Sequence, residues 1–251
     1  MKIVVIGGTG MIGTQLVSNL SSMGHDVIGA SPTLGVNAVT REGLAEALVG
    51  IDVVVDVANS PSFEATEAMD FFHASCTNIL EAEAAAGVGH HIVLSAVGTD
   101  RLQGSGYFRA KMKQENLIRE SNVPYTIIHS TQFFEFLPSI IQHSTRGETI
   151  HMSPALIQPV GSAEVAKILT DASLQEPVNN TVEIAGPEKM SLLELTRFYL
   201  HRLKDTRRIV SDSNADFFGA LLNDETLIPG PNARLGAVNY ESWLNAQSKI
   251  L

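Results

Sequence analysis

The sequence predicts an α/β fold built on a doubly wound parallel β-sheet. Short β-branched runs alternate with longer stretches of helical periodicity through the first half of the chain. Several runs, such as Val53-Val54-Val55, are continuously apolar, which is typical of parallel strands that helices cover on both faces. A glycine-rich turn follows the first run directly. Strand–helix–strand units with right-handed crossovers produce a doubly wound sheet.

The predicted elements follow one another in a regular order up to about residue 133. The predicted strands cover residues 3–6, 26–30, 36–39, 52–57, 90–95 and 125–129. The predicted helices cover residues 11–22, 41–49, 63–87 and 107–121. Beyond them we expect a helix at 163–174, a strand at 182–184 and a helix after Ser191, all in a substrate-side subdomain. We therefore predict one domain over residues 1–251, with residues 133–251 contributing most of the substrate-side region.

Composition restricts the class of partner and the compartment. The formal net charge of −10 opposes attraction to nucleic-acid phosphates, and no apolar stretch is long enough for a membrane helix. Cys76 is the only cysteine, so there is no intrachain disulfide and a reducing compartment fits. Because strand residues begin at Ile3, no room remains for a signal peptide. We expect a cytoplasmic protein that binds neither nucleic acid nor membrane and is a monomer or homodimer.

The turn after the first strand predicts a dinucleotide site. Its candidate cofactor-binding residues are Gly7, Gly8, Thr9, Gly10, Met11, Ile12 and Gly13. Gly7 permits a tight turn, Gly10 lets backbone amides approach phosphate oxygens, and Gly13 allows helix and strand to pack closely. The helix that begins at Met11 favours negative charge at its N-terminus. The alternative is an ordinary structural turn, and the order strand, turn, helix favours the nucleotide site.

Polar residues at the ends of the next strands bear on the choice of cofactor. The run Ile28-Gly29-Ala30-Ser31-Pro32-Thr33 lacks the acid that selects NAD. Ser31 and Thr33 can donate hydrogen bonds to a 2′-phosphate, with Arg41 near in sequence, so we predict NADP, with NAD as a possible cofactor. The alternative is a simple turn that accepts both dinucleotides. We expect Asp56-Val57-Ala58-Asn59, at the next strand end, to flank the adenosine and ribose.

A tyrosine–lysine pair supplies the catalytic candidates. Tyr107 and Lys111 are four residues apart in a predicted helix, so they lie on one face one turn apart. A neighbouring ammonium lowers the pKa of a phenol and suits it to proton transfer. Ser95 ends the preceding strand, where its hydroxyl can hold a substrate oxygen. We expect Lys111 also to hold the nicotinamide ribose, although most tyrosine–lysine pairs at this spacing are surface neighbours.

The strand end near residue 129 predicts the substrate pocket. Its candidate residues are His129, Thr131, Phe133 and Phe134. Together with Phe136, these phenylalanines suit a flat aromatic or quinone substrate, although phenylalanine is equally typical of a core. Glu135 among them is a candidate acid. No metal site is expected, because His90 and His91 are adjacent in a strand and face opposite sides of the sheet.

These motifs together resemble the short-chain dehydrogenase/reductase superfamily. The resemblance rests on Gly7-x-x-Gly10-x-x-Gly13, Ser95 and Tyr107-x-x-x-Lys111. Residues 123–128, 131–136, 158–160 and 164–166 are similar to the atypical, NmrA-like NAD(P)H-binding oxidoreductases. The resemblance implies a Rossmann-like fold and an NAD(P) cofactor, and it makes Asn78 the candidate counterpart of the superfamily's catalytic asparagine.

Two functions are consistent with this resemblance. The leading hypothesis is an NAD(P)H-dependent oxidoreductase that transfers hydride to a carbonyl or quinone-like small molecule, with Ser95, Tyr107 and Lys111 as the catalytic group. The alternative is a non-catalytic redox sensor that binds NAD(P) and acts through a protein partner, because this branch includes regulators that bind dinucleotide without turnover. Fold alone does not separate the two.

Overall fold

The central sheet is parallel and has helices on both faces, as the sequence predicts. A computed structural model describes residues 1–247. Its strands are β1 (Lys2–Ile6), β2 (Asp26–Ala30), β3 (Val53–Asp56), β4 (His90–Ala96), β5 (Tyr125–Ser130), β6 (Thr145–Arg146), β7 (Thr149–Met152), β8 (Leu156–Ile157), β9 (Asn180–Ala185), β10 (Met190–Ser191), β11 (Arg208–Ser211) and β12 (Arg234–Leu235). Its α-helices are α1 (Met11–Ser22), α2 (Leu44–Ala47), α3 (Ala65–Ala86), α4 (Gly106–Glu120), α5 (Leu137–His143), α6 (Ser162–Ser173), α7 (Leu192–Leu203) and α8 (Tyr240–Gln247).

The strand order places a ligand site at a defined point of the sheet. The seven strands of the main sheet follow the order β12-β9-β5-β4-β3-β1-β2, and all neighbouring pairs are parallel. The chain runs outward from β1 to β2 and then returns to β3 on the other side of β1. The order therefore reverses between β1 and β3. In a Rossmann-like sheet, ligands bind at the carboxyl ends of the strands at this reversal.

Apolar side chains of the strands alternate between two helical layers. On one face, Leu16 of α1 and Leu169 of α6 pack in one cluster with Val55 of β3. On the other face, Ile79 of α3 and Ile118 of α4 lie in the clusters that cover β1, β3, β4 and β5. The near-continuous apolar strands are thus explained, because both sets of side chains are buried.

A smaller subdomain is built from segments that lie between and after the later main-sheet strands in the chain. It contains the antiparallel pair β8–β10 and the sheet β11-β7-β6, and its core includes Phe134, Leu192, Leu200 and Tyr240. The predicted helix at 163–174 and strand at 182–184 exist as α6 and β9. We expected both in this subdomain, but they belong to the main layers, because α6 packs beside α1 and β9 pairs with β5.

The strand predicted at residues 36–39 is absent, and this prediction was wrong. These residues form a loop beyond the edge strand β2, in which Asn37 Oδ1 accepts hydrogen bonds from the amides of Val39 and Thr40 at 2.9 and 3.3 Å. Asn78 Nδ2 in α3 donates to the carbonyls of Ala38 and Val39 at 2.8 and 2.9 Å. Side chains therefore satisfy backbone groups that a neighbouring strand would otherwise pair. The helix predicted at 41–49 is likewise reduced to residues 44–47.

The two adjacent histidines face opposite layers, as predicted. His90 Nε2 lies 2.8 Å from Thr126 Oγ1, whereas His91 Nδ1 lies 2.8 Å from Glu83 Oε1 of α3. Both side chains are buried. Burial lowers the pKa of His90 to about 4, so that imidazole is neutral. The histidines therefore tie strands and helices together from two sides of the sheet.

Within residues 1–247, none of the helices combines the length and apolar character needed to cross a bilayer. The longest helix, α3, has 22 residues and carries several acidic side chains along its length. It also carries Cys76, which is buried with a free thiol. Its apolar side chains pack on the sheet and on α4, so α3 is a core helix.

Leu16→Ala is expected to lower the free energy of unfolding by about 2–5 kcal/mol, because the side chain is fully buried between α1, the sheet and α6 and its loss leaves a cavity. Urea denaturation measures this change. Met23→Ala, at an exposed position just beyond the same helix, is the matched control and should change it by less than about 0.5 kcal/mol. Equal effects of the two substitutions would contradict the packing of Leu16 against the sheet and α6.

Candidate active site

One large cavity lies at the carboxyl ends of the main strands. Its volume is about 660 Å³, within the range of small-molecule sites. Its walls come from the turns after β1, β2, β3, β4 and β5, from the start of α4, and from residues 217 and 218 of the subdomain. The cavity therefore spans the reversal point between β1 and β3 and continues towards the subdomain.

The glycine turn brings three backbone segments into close contact. Gly7 has φ +82°, and a Cβ atom there would lie 2.8 Å from the amide nitrogen of Ala58. A Cβ on Gly13 would collide with the carbonyl oxygen of Gly7 and would lie 2.7 Å from Gly8 Cα. The amides of Gly7 and Gly8 donate to the Ala30 carbonyl at 2.9 and 3.1 Å. No side chain separates the turn from α1 or from the end of β3.

The N-terminus of α1 presents unused donors to the cavity. Gly10 is the N-cap, its own amide donates to Gly7 O, and the first helical hydrogen bond runs from Thr14 N to Gly10 O. Within the described residues, the amides of Met11, Ile12 and Gly13 have no acceptor. Free amides at the positive end of a helix dipole suit an anion. This arrangement and the glycine cradle fit the pyrophosphate of a dinucleotide.

The end of β2 gives hydroxyl groups and no acid. Ser31 is buried, lines the cavity and shares a 2.9 Å hydrogen bond with Thr33 Oγ1. Arg41 does not line the cavity, because its Nε donates to Asn78 Oδ1 at 2.7 Å and its Nη2 lies 2.7 Å from Glu81. Asn78, expected as the catalytic asparagine, instead fixes the cavity-lining loop at residues 36–39.

Residues 56–59 divide into one structural residue and three cavity residues. Val57, Ala58 and Asn59 line the cavity. Asp56 does not, because its Oδ1 accepts from the amide of Ala58 at 3.0 Å and its Oδ2 accepts from Gln114 Nε2 at 3.0 Å. Burial raises the pKa of Asp56, and His91 and Lys111 oppose this rise. Asp56 therefore shapes the turn and holds α4 instead of facing a ribose.

The Tyr107 side chain forms part of the cavity wall. Its hydroxyl donates to Asn59 Oδ1 at 2.8 Å, and its ring packs against Phe63 and Phe72 at centroid distances of 5.0 and 5.7 Å. Burial raises the pKa of Tyr107 above its ordinary value. The prediction that the Lys111 ammonium lowers this pKa was wrong. The phenol therefore stays protonated at neutral pH.

Lys111 lines the same cavity, but its ammonium group is hydrogen-bonded to β4 and to another residue of α4. Its Nζ donates to the Leu94 carbonyl at 2.9 Å and to Gln114 Oε1 at 2.6 Å, and lies 4.6 Å from the centroid of Phe72. Burial lowers the pKa of Lys111, while Asp56 opposes this change. An ammonium group has three hydrogens, so these two hydrogen bonds leave one for a ligand.

Ser95 and His129 share a buried carboxylate. Ser95 lines the cavity, but its hydroxyl donates to Glu115 Oε1 at 2.6 Å. His129 Nε2 lies 2.8 Å from the same oxygen, and Arg119 Nη2 donates to Glu115 Oε2 at 2.8 Å. His129 does not line the cavity, contrary to its predicted contact with substrate. The hydroxyl hydrogen of Ser95 is thus used inside the protein.

The residues after β5 also divide between cavity and core. Thr131 and Phe133 line the cavity as predicted, and Thr131 Oγ1 is buried without a partner in the described residues. Phe134 is core, with Tyr240 and Trp243 rings at 5.4 and 5.3 Å. The substrate-pocket prediction for Phe134 was therefore wrong, because the turn at residues 134–136 directs it into the subdomain.

Glu135, predicted as a candidate acid, is a helix cap. Its carboxylate accepts from the Ser162 amide at 3.1 Å and from the Ser162 hydroxyl at 2.7 Å, at the start of α6. Trp243 Nε1 also donates to it at 3.1 Å. A carboxylate at a helix N-terminus stabilises the free amides of the first turn. Glu135 thus joins α6 to α8 and does not face the cavity.

Most rings of the cavity's aromatic wall were not predicted from the sequence. The unpredicted rings are those of Phe63, Phe71, Phe108, Phe217 and Phe218. Phe63, Phe136 and Phe218 lie within 6 Å of one another, with centroid distances of 5.1 to 5.9 Å. Only Phe136 carried a sequence signal, since it follows a strand end. The other two come from distant loops that the subdomain brings together.

The chain belongs to the NAD(P)H-binding family. The family model matches residues 7–173, which include the glycine turn, the end of β3, Tyr107 and Lys111. This match confirms the resemblance to the atypical short-chain dehydrogenase/reductase superfamily, and the free amides at the start of α1 are consistent with it.

The chain is similar to curated proteins and solved structures with several functions. It is 27% identical over 224 residues to divinyl chlorophyllide a 8-vinyl-reductase of Cucumis sativus, covering 75% of this chain and 53% of that protein. It is 23% identical over 216 residues to photosystem II assembly factor Ycf39 of Synechocystis, covering 78% and 65%. The chain thus spans less than two thirds of these relatives. The structure of Bordetella bronchiseptica WbmG with NAD and UDP shares the fold, with a TM-score of 0.72, 17% identity and coverage of 100% and 96%.

Glu115→Gln is expected to lower the free energy of unfolding at pH 7 by about 3 kcal/mol. Burial alone would raise the pKa of Glu115, but His129, Ser95 and Arg119 hold it at about 2, below the ordinary value of 4.5. The ionised form is therefore stabilised in the folded state. This contribution is complete above pH 4.5 and is lost as the pH falls towards 2.

Denaturant unfolding from pH 7 to pH 3 measures this effect. The variant should lose less stability over that interval than the wild type, because its side chain does not titrate. Glu120→Gln, at an exposed position on the same helix, serves as the control. If both variants keep the pH dependence of the wild type, the lowered pKa of Glu115 is contradicted.

Proposed function

We propose that the protein is an NAD(P)H-dependent oxidoreductase that reduces a carbonyl or quinone-like small molecule. The observation that carries this proposal is that the free amides of α1 and the Tyr107 phenol open into one cavity. The first suits the pyrophosphate of a dinucleotide, and the second is a proton donor on the substrate side. The family membership supports the cofactor class.

Tyr107 and Lys111 have separate roles in the proposed reaction. When bound, NAD(P)H would supply a hydride, to the carbonyl carbon of a ketone or aldehyde or to one oxygen of a quinone. Tyr107 donates its proton to the ketone or aldehyde oxygen, or to the other quinone oxygen, and then regains a proton from water, so that the product is an alcohol or a hydroquinone. Burial keeps the phenol protonated before the reaction. The remaining hydrogen of the Lys111 ammonium is available to a ribose hydroxyl.

Ser95 has no donor role in this proposal. Its single hydroxyl hydrogen is given to Glu115, whose carboxylate also accepts from Arg119 and lies beside His129. Ser95 is better described as a fixed part of the cavity wall that anchors the end of β4 to α4. The catalytic group is thereby reduced to Tyr107, with Lys111 as a binding residue.

The aromatic wall supports a flat and uncharged acceptor. Phe63, Phe136 and Phe218 lie near Tyr107 on the subdomain side of the cavity. Among the described residues that line the cavity, Lys111 is the only one with a charged side chain. Aromatic faces bind planar rings through stacking and apolar contact. A quinone or aromatic ketone fits this environment better than an anionic sugar or acid.

A second candidate function is dinucleotide binding without turnover. The similarity to photosystem II assembly factors favours it, since an assembly factor need not reduce a small molecule. Two features of the site also agree with binding without turnover. The Lys111 ammonium is hydrogen-bonded to Leu94 and Gln114, and the pKa of Tyr107 is raised. In that function, Tyr107 and Lys111 would only hold the ligand.

Tyr107→Phe is expected to lower kcat at least 100-fold with quinone, aldehyde and ketone acceptors, because it removes the proton donor. The dissociation constant of NADPH should change less than threefold. Stopped-flow oxidation of NADPH and fluorescence titration give the two values. Tyr125→Phe, at the opposite end of the sheet, is the matched control and should keep wild-type rates.

The two candidate functions give different results in this experiment. Tight NADPH binding by the wild type with no turnover of any acceptor would favour the non-catalytic function. Turnover that Tyr107→Phe leaves unchanged would remove Tyr107 from the mechanism while keeping the reductase assignment.

We also propose that NADP(H) is preferred over NAD(H), because Ser31 and Thr33 stand where an NAD-selecting acid would lie. Ser31→Asp is expected to weaken NADPH binding at least tenfold through repulsion of the 2′-phosphate, and to leave NADH binding equal or tighter. Fluorescence titration with both cofactors measures the ratio. A wild type that binds NADH and NADPH equally would show that the residues at 31–33 form only a turn.

A further inference from the structure

We propose that Asn59 contacts the acceptor directly, with its side-chain NH₂ group donating a hydrogen bond to the acceptor's carbonyl oxygen beside Tyr107. This proposal rests on the reductase function proposed above. It gives Asn59 a different place from the adenosine and ribose contacts that its position after β3 predicts.

The orientation of the Asn59 amide is fixed by two donors. Its Oδ1 accepts from the Tyr107 hydroxyl at 2.8 Å and from the amide of Ser60 at 3.0 Å. The opposite orientation would place the NH₂ group against the Ser60 N–H, two donors facing each other. Asp56 holds the same turn by accepting from the Ala58 amide at 3.0 Å. Nδ2 is therefore directed away from both donors.

The Asn59 NH₂ group is available to a ligand. Asn59 lines the cavity and is exposed, and within residues 1–247 its Nδ2 has no hydrogen-bond partner. A carbonyl oxygen has two lone pairs and accepts such a hydrogen bond readily. Oδ1 and Nδ2 belong to one amide group, so an acceptor oxygen bound to Nδ2 is separated from the Tyr107 hydroxyl only by that amide.

Asn59 also controls where the phenol hydrogen points. A hydroxyl has one hydrogen, and in this structure the Tyr107 hydroxyl donates it in a hydrogen bond to Asn59 Oδ1. An acceptor oxygen held by Nδ2 offers an alternative partner for that hydrogen. Ser60 N still satisfies Oδ1 when the phenol turns towards the ligand. The amide thus binds the acceptor and releases the phenol hydrogen without leaving Oδ1 unpaired.

The wall around Asn59 indicates the class of acceptor oxygen. The nearby rings of Phe63 and Phe218 are apolar, and the amide is a neutral donor. A neutral donor in apolar surroundings stabilises a carbonyl oxygen but does not repay the desolvation of a carboxylate. Asn59 is therefore a specificity-determining residue that selects ketone or quinone acceptors over acidic ones.

Asn59→Asp tests this contact with little change of shape. The carboxylate still accepts from Tyr107 and Ser60, but it has no hydrogen to donate and repels a carbonyl oxygen. We expect the KM for a quinone or ketone to rise at least tenfold, with the dissociation constant of NADPH within twofold of the wild type. Asn116→Asp, exposed on α4, adds the same charge away from the cavity and should retain the wild-type KM.

Asn59→Ala provides a second variant in case the aspartate variant does not fold. It removes both hydrogen bonds, and we expect it to raise KM tenfold and also to lower kcat, because the phenol is no longer positioned. An unchanged KM in both variants of an active enzyme would overturn the role of Asn59 and leave the reductase function intact. A rise in the NADPH dissociation constant equal to the rise in KM would place Asn59 on the cofactor and also overturn it. Absence of wild-type turnover would remove the reductase function, and this inference with it.

Discussion

The site depends on the close approach of three backbone segments: the turn after β1, the start of α1 and the end of β3. Positions 7 and 13 have no room for a Cβ atom, since such atoms would meet Ala58 N and the Gly7 carbonyl. Only this approach allows the free amides of α1 to face the same cavity as residues 57–59. The free amides of α1 and the turn after β3 are therefore parts of one backbone arrangement.

A second set of interactions fixes helix α4 against this arrangement. Lys111, Gln114 and Glu115 are buried on the face of α4 that meets the sheet, where apolar residues are usual. Gln114 connects Asp56 to Lys111, and Glu115 connects Ser95 to Arg119. Each buried charge has a hydrogen-bonded partner, which offsets its desolvation. The network takes the place of apolar contacts on this face of α4, but it sets the position of the helix that carries Tyr107.

The main sheet could be predicted from the sequence because its signals are local. Apolar runs, helical periodicity and the glycine spacing each lie within one short segment. The run at 36–39 was misassigned because its β-branched residues satisfy the propensity of a strand without a partner. Its hydrogen bonds go to the side chains of Asn37 and Asn78 instead, and sequence periodicity does not show such contacts.

The candidate site was only partly predictable, for a related reason. Sequence position indicated which residues reach the cavity edge, and Tyr107, Lys111, Asn59, Thr131 and Phe133 do line it. Position did not indicate hydrogen-bond partners, and these decide what a polar side chain can do. Ser95, His129 and Glu135 all stand at or just beyond strand ends, yet each is engaged with another helix. The aromatic wall is harder still to predict from the sequence, because Phe63 and Phe218 are far apart in the chain.

The hydrogen bonds of the Lys111 ammonium change the chemistry that the tyrosine–lysine pair can perform. Helical spacing places both on one face of α4, but Phe72 packs against both side chains, and the lysine ammonium turns to the Leu94 carbonyl and Gln114. Burial is the largest influence on the pKa of Tyr107 and raises it, so the phenol holds its proton. A protonated phenol holds a proton that it can donate, and it cannot act as a base in that state. The role open to Tyr107 is therefore set by its surroundings rather than by the tyrosine–lysine motif.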